Sequence, residues 1–403
     1  MKTLLKKFNL GLLIFLLILF PLGQLSRLPL PWPEVRFYGH EVIIIVLLLN
    51  CSMVILLKQF KWQKARLGKP ILFFFLIGLF SLLINGRHFL GREVLVGSLY
   101  LWRWLAYASI YFLVLQLNKK PLAKVAEYLL FAGVASAVLG LIQYFLFPNA
   151  WPLVADQWDP HVGRVMGTFL DPGFTGLIYV LTILLLINRS WGKGNKQLFT
   201  IGYLLLAICY LAFLLTYSRS AYLAFLVGIG MISWVKRSGK FFLIVTGVFL
   251  VSLLLLPRPH GEGAKLERES TISARFINYQ QTWQIIQKYP LLGVGFNLYR
   301  YEQRNQGWLG DKWQVSHAAA GADNSFLFVW ATTGTFGLVS YLWLWWRMIK
   351  LAWRQRQQSW GLILLSSSGA VLIHSLFNNS LFYIWIMIWL WILSGMVEAE
   401  PRN

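Results

Sequence analysis

Long apolar runs recur along the chain, near 8–25, 41–57, 70–86, 95–117, 122–147, 172–188, 198–216, 220–235, 241–256, 324–349, 360–377 and 380–397. Short polar connectors separate most of them. A membrane-spanning helix needs about 20 predominantly apolar residues, so the pattern predicts twelve spans in one polytopic domain over 1–403. The first run follows Lys2, Lys6 and Lys7 but lacks a small-x-small cleavage site, and it reads as an uncleaved span rather than a secretory signal. The rhythm breaks twice, over 148–171 and 257–322, and the second break is the only large extramembrane piece expected, between spans nine and ten. Within it, Ser270 to Ser273 offer helix starts, Pro290 stops the helix, and Gly293 and Gly295 make a turn. Phe276, Tyr279, Trp283 and Ile286 recur at helical spacing, which predicts an amphipathic helix with one apolar stripe on the membrane surface.

Composition agrees with the pattern. The 403 residues are 57% hydrophobic and 13% charged, with mean hydropathy +0.59, whereas soluble domains carry roughly 25% charged residues. Cys51 and Cys209 both fall inside apolar runs, where they offer neither a disulfide framework nor a metal site. The formal charge of +22 is not a nucleic-acid footprint. With the N-terminus inside, 22 of the 37 basic residues fall in the short inner loops and 12 of the 15 acids fall on the other side. That asymmetry is the positive-inside rule, and it puts both termini in the cytoplasm.

The outer basic residues need another reason. Arg219 lies in "LLTYSRSAYLAF", at a tight turn between two apolar runs, where a helix is expected to open at Ser220. A guanidinium beside a helix N-terminus opposes the helix dipole and favours a bound anion. The other reading is an arginine snorkelling at headgroup level. Arg275, on the expected surface helix, is placed at similar height. The 148–172 segment adds Trp151, Asp156, Trp158, Asp159, His161 and Arg164, its aromatics suiting either an interfacial belt or sugar stacking. A lone D-x-x-D there is a weak metal signal. Asp323, at the mouth of the tenth span, suits a helix cap or a catalytic carboxylate.

Four pieces in order carry a resemblance: "RVMGTFLDP" from Arg164, "TYSRSAYLA" from Thr216, "ARFINYQQTWQIIQKYPLLGVGF" from Ala274 and "DNSFLFVWATTGTFG" from Asp323. Over roughly 150–345 the chain resembles the O-antigen ligase / O-antigen polymerase superfamily of bacterial membrane glycosyltransferases. The resemblance implies an all-α, GT-C-like membrane fold in the bacterial inner membrane, with the active site extracytoplasmic. It also implies a polyprenyl-diphosphate-linked oligosaccharide donor, a glycan acceptor, glycan-assembly partner proteins, and no metal or other cofactor. By position, Arg219 and Arg275 correspond to the family's essential arginines. The ligases carry a histidine directly before the asparagine of the fourth motif. Here that place holds Asp323, which favours a polymerase over a ligase, with His317 as the alternative group for activating the acceptor.

The expected site therefore has Arg219, Arg275 and Asp323 as catalytic residues and Arg164, Tyr217, Tyr279, His317 and Asn324 as substrate-binding residues. Guanidinium groups stabilise charge on a departing diphosphate in place of a metal. A carboxylate or imidazole accepts the proton of the attacking hydroxyl, and a single displacement inverts the anomeric carbon. The rival reading is a multi-span transporter of a small anion or lipid-linked glycan, which would place ionisable groups near the bilayer midplane. Arg103 and His374 are the notable ionisable residues within the expected spans. A lipid-glycan binding scaffold without catalysis stands as a third reading.

Overall fold

The computed structural model describes residues 2–56, 65–150, 161–190, 196–257, 265, 270–311, 313–314 and 321–400. It is almost wholly helical. In chain order come α1 (Lys2–Leu19), α2 (Glu41–Leu56), α3 (Gly68–Asn85), α4 (Gly91–Val114), α5 (Lys119–Leu146), α6 (Pro172–Ser190) and α7 (Lys196–Leu214). Then follow α8 (Arg219–Val235), α9 (Gly239–Leu255), α10 (Ser270–Lys288), α11 (Tyr299–Asn305), α12 (Ser325–Arg354), α13 (Ser359–His374) and α14 (Ile384–Ala399). A two-strand antiparallel ribbon, β1 (Arg27–Leu28) with β2 (Phe37–Tyr38), lies between α1 and α2.

Each of the twelve expected spans coincides with a helix. Among the described residues, five helical segments are long and apolar enough to cross a membrane: Leu5–Ser26, Gly68–His88, Lys119–Leu146, Pro172–Arg189 and Ser325–Arg354. Six shorter apolar helices accompany them, among them Arg219–Val235, Ser359–His374 and Ile384–Ala399. α4, with 24 residues, is interrupted by Arg92, Glu93 and Arg103.

α14 is the central rod. Every residue from Ile384 to Val397 is buried, and α4 and α13 pack against it. α13 in turn packs on α6, α8 and α12. α9 lies at the edge, with Phe249 as its buried residue. A helix apolar all round carries no sequence mark of which case applies.

α12 is broken at Gly334, whose φ of 66° is left-handed. The chain after α10 fills the break: Val294 N donates to Ala331 O at 2.8 Å, Gly295 N to Thr332 O at 3.1 Å, and Thr335 N to Pro290 O at 2.9 Å. Gly293, with φ +70°, faces the same stretch of α12 backbone so closely that a Cβ would collide with it. The expected turn at Gly293 and Gly295 is thus a splice into a helix. It pins the end of α10 to α12.

The apolar stripe expected on α10 divides. Ile286, 2% exposed, packs with Ile285 against the α12 side, where half-exposed Trp283 lies edge-on to Trp330, while Phe276 (62%) faces outward. The buried face is centred on Tyr279, Thr282 and Ile286 because α10 docks on α12. One edge of the stripe is spent on that contact, and only the other remains for a surrounding apolar medium.

Candidate functional site

Three helices begin at one place. α6 opens at Pro172, α8 at Arg219 and α12 at Ser325, and the end of α13 joins them: Ser325 N donates to Ser375 O at 2.9 Å, and His374 Nε2 lies 3.1 Å from both Ser220 Oγ and the Gly173 carbonyl. Helix N-termini carry partial positive charge and unsatisfied N–H groups. Their convergence makes a region suited to negative charge.

Arg219 is the first residue of α8, one position earlier than expected, and Ser218 is the cap, its Oγ accepting from Ala221 N at 3.3 Å. The turn before it is held hard. Tyr217 has φ 49°, a left-handed value that costs a non-glycine residue energy. Its hydroxyl donates to the Pro257 carbonyl. Arg164, buried, donates from Nε and Nη2 to Thr216 O at 3.0 and 2.8 Å and from Nη2 to Tyr217 O at 3.3 Å. Val165 N adds a bond to Leu215 O at 2.8 Å. Burial pushes the Tyr217 phenol up to about 12, so it stays protonated and able to donate.

Arg275 projects from α10 into the same neighbourhood. Its charge acts on Arg219, Asp171, His374 and Tyr279. The two arginines expected from separate segments are therefore brought together, and they repel each other. Such a pair calls for an anion between or beside its members.

Tyr279 bridges α10 to the helix ends, its hydroxyl donating to Leu376 O and, at 3.4 Å, to Asp323 O. Asp323 is tied by its own N–H to Asn278 Oδ1 at 2.9 Å. The cap of α12 is the neighbouring Asn324, whose Oδ1 accepts from Phe326 N at 2.8 Å and Leu327 N at 3.1 Å. The capping role considered for Asp323 thus belongs to Asn324. Asp323 is instead among the residues lining a cavity of about 520 Å³. Arg219 and Arg275 are not in the lining of that cavity, but Ala274, beside Arg275, is.

Three groups escaped the sequence reading. Asp171, Asn378 and Asn379 line the cavity with Asp323. Asp171 is the second-last residue of the "RVMGTFLDP" motif, just before Pro172, and its Oδ1 accepts from Phe174 N at 2.9 Å. Burial raises its pKa, against the opposing pull of the Phe174 N–H and the charges of Arg164 and Arg275. Leu170, directly before it, is left-handed at φ 55°, a second strained position at a helix mouth. A motif carrying a carboxylate before a helix-opening proline was the available signal. Asn378 and Asn379 had none, being ordinary polar residues between two apolar runs. His317, Trp151, Asp156, Trp158 and Asp159 lie outside the described residues.

The fold is that of an almost wholly helical polytopic membrane protein, in which Arg219 and Arg275 meet where three helices begin. Residues 202–342 match the family model Wzy_C, described as O-antigen ligase. That span includes Tyr217, Arg219, Arg275, Tyr279, Asp323 and Asn324, with Arg164 N-terminal to it. The match over this segment supports the likeness to the O-antigen ligase / polymerase superfamily read from the motifs. A comparison with curated proteins finds no match.

Proposed function

We propose that the protein transfers or polymerises polyprenyl-diphosphate-linked oligosaccharide at the outer face of a bacterial cytoplasmic membrane, with polymerisation favoured over ligation. The observation that carries this reading is the meeting of Arg219 and Arg275 at the mouths of α6, α8 and α12. Two guanidinium groups and aligned helix ends suit a diphosphate on a membrane-held lipid. The acceptor hydroxyl oxygen bonds to the anomeric carbon while the bond from that carbon to the diphosphate oxygen breaks. The electron pair leaves with the diphosphate, where the arginines stabilise it. The hydroxyl proton passes to the carboxylate of Asp323, a residue lining the adjoining cavity. One such displacement inverts the anomeric centre and needs no metal. The preference for polymerisation rests on aspartate standing where the ligases place histidine.

Transport draws no support from Arg103 or His374. Arg103 is paired with Glu41, and His374 is held by Ser220, Ser380 and the Gly173 carbonyl. Such fixed partners suit structure rather than a translocation path.

The test is turnover by purified protein in detergent, supplied with lipid-linked oligosaccharide. Longer or transferred glycan with release of polyprenyl diphosphate is the expected result. Activity seen only as movement across sealed vesicles would replace this reading with transport.

A further inference from the structure

The cavity lined by Asp323 is also lined by Glu34, Arg103 and Trp385, which come from the turn between β1 and β2, from α4 and from α14. Contacts join the three along one wall. Tyr100 Oη donates to Glu34 O at 3.3 Å, and the Arg103 guanidinium lies over the Tyr100 ring at 5.3 Å and the Tyr38 ring at 5.6 Å. Tyr38 in turn meets Trp385 edge-on, with 5.1 Å between ring centres.

Each of the three side chains is held at one point and lacks a partner at another. Glu34, 7% exposed, accepts at Oε1 from Arg92 Nη2 at 2.9 Å, while its Oε2 is buried without a hydrogen-bond partner among the described residues. Arg103 pairs with Glu41 through Nε, and its Nη2 is buried and unpartnered in the same way. Trp385, 1% exposed, is packed between the rings of Tyr38, Phe169 and Tyr383, and its Nε1 is the third such atom.

A buried polar atom left unpaired costs about 1–3 kcal/mol, and native proteins keep few of them. Here the rest of each side chain is fixed, so none of the three turns away to find a partner. A ligand in the cavity supplies what is missing if it accepts from Arg103 and Trp385 and donates to Glu34. Ionised phosphate and carboxylate groups only accept, and their charge would meet the Glu34 carboxylate. Hydroxyl groups both donate and accept. The rings of Tyr38 and Trp385 suit the apolar face of a pyranose.

We propose that this wall is a subsite for a neutral sugar residue, with Glu34 Oε2 selecting one of its hydroxyl groups and Arg103 Nη2 and Trp385 Nε1 donating to its oxygens. It rests on the glycan-transfer reading and adds a sugar class to it.

The test measures binding apart from the reaction. Tagged wild-type protein in detergent is laid on an array of neutral, carboxylated and phosphorylated oligosaccharides, and neutral ones should be retained in preference. The tightest of these and its monodeoxy analogues are then titrated into wild type, Glu34→Gln and Trp385→Phe, read by saturation-transfer NMR, with melting curves to confirm folding. Glu34→Gln keeps an oxygen for Arg92 but replaces the second acceptor with a donor, and it should lower affinity about tenfold or more. One monodeoxy analogue should bind wild type about tenfold or more weakly than its parent and lose nothing further in Glu34→Gln, because the absent hydroxyl and the absent acceptor belong to one contact. Trp385→Phe should show the same coupling at another position of the sugar. No neutral sugar retained, a preference for the charged sugars, or deoxy losses of equal size in wild type and the folded variants would overturn the subsite. Turnover of lipid-linked oligosaccharide is measured separately on wild type. Binding without turnover removes the transfer reading and leaves the subsite, whereas turnover without binding removes the subsite alone.

Discussion

Arg164 holds the carbonyl of Thr216 with two donors, Nε at 3.0 Å and Nη2 at 2.8 Å. The side chain is buried, and the turn it holds aims Arg219. Expected as a substrate-binding residue, Arg164 is placed to position the site through backbone. Arg164→Met should leave the Thr216 carbonyl without these donors, costing about 1–3 kcal/mol. Thermal unfolding in detergent should shift down and turnover should fall at least about tenfold, since misplacing a catalytic group is expensive. Wild-type values for both would show that the turn is held without it.

Arg219→Lys and Arg275→Lys should each lose about 100-fold or more in turnover with little change in melting temperature. Lysine keeps the charge but not the forked donors that match phosphate oxygens. If the two arginines only snorkel to headgroup level, lysine substitutes freely. Near wild-type rates in both variants would therefore end the diphosphate assignment.

The neighbours Asp323 and Asn324 separate catalysis from capping. Asn324→Ala should cost about 1 kcal/mol through loss of the α12 cap. Asp323→Asn should leave stability alone and reduce turnover about 100-fold or more by removing the proton acceptor. His317→Ala is the companion measurement. An active, stable Asp323→Asn beside a dead His317→Ala would transfer the role to histidine.

Asp171 sets a pH dependence of stability. Its carboxyl pKa is raised above 3.8 by burial, so the folded protein retains a proton that the unfolded chain gives up. This contribution is fully present below the unfolded pKa and is lost as pH rises through the folded one. Asp171→Asn keeps an acceptor for Phe174 N and removes the titration. Relative to wild type, the variant should gain stability as pH rises from 4 upward through that window. Melting curves of both proteins at stepped pH would show it, and parallel curves would reject it.

Turnover should survive excess EDTA, because the proposed charge stabilisation comes from guanidinium groups. Complete loss, restored by magnesium or manganese, would instead point to a metal held by residues such as Asp156 and Asp159.

Much of this protein is written in its apolar rhythm. Bilayer thickness and backbone hydrogen bonding force long apolar stretches into helices, so Val235 and Leu255 end helices where the sequence suggests. Local chemistry was equally legible for α10, which ends at Lys288 just before Tyr289 and Pro290. Arg219 stood out because a charge at a turn between apolar runs has few explanations.

Packing partners were beyond the sequence. α9 and α14 are both strongly apolar, yet α14 is buried from Ile384 to Val397 while Phe249 is the buried residue of α9. Lipid and protein interior are alike in polarity, so hydropathy carries no contrast between them. The same blindness split the stripe of α10 between Ile286 inside and Phe276 outside. Asp323 and Asn324 are adjacent and both able to cap, and only backbone geometry assigned the role to Asn324. Asp171, Arg219, Arg275 and Asp323 come from four separate segments. Sequence determined that each lies at a helix end or on the α10 surface, because those preferences are local. Tertiary structure alone decided that they share one junction, because the broken α12 at Gly334 and the strained turn at Tyr217 draw their meaning from contacts far along the chain.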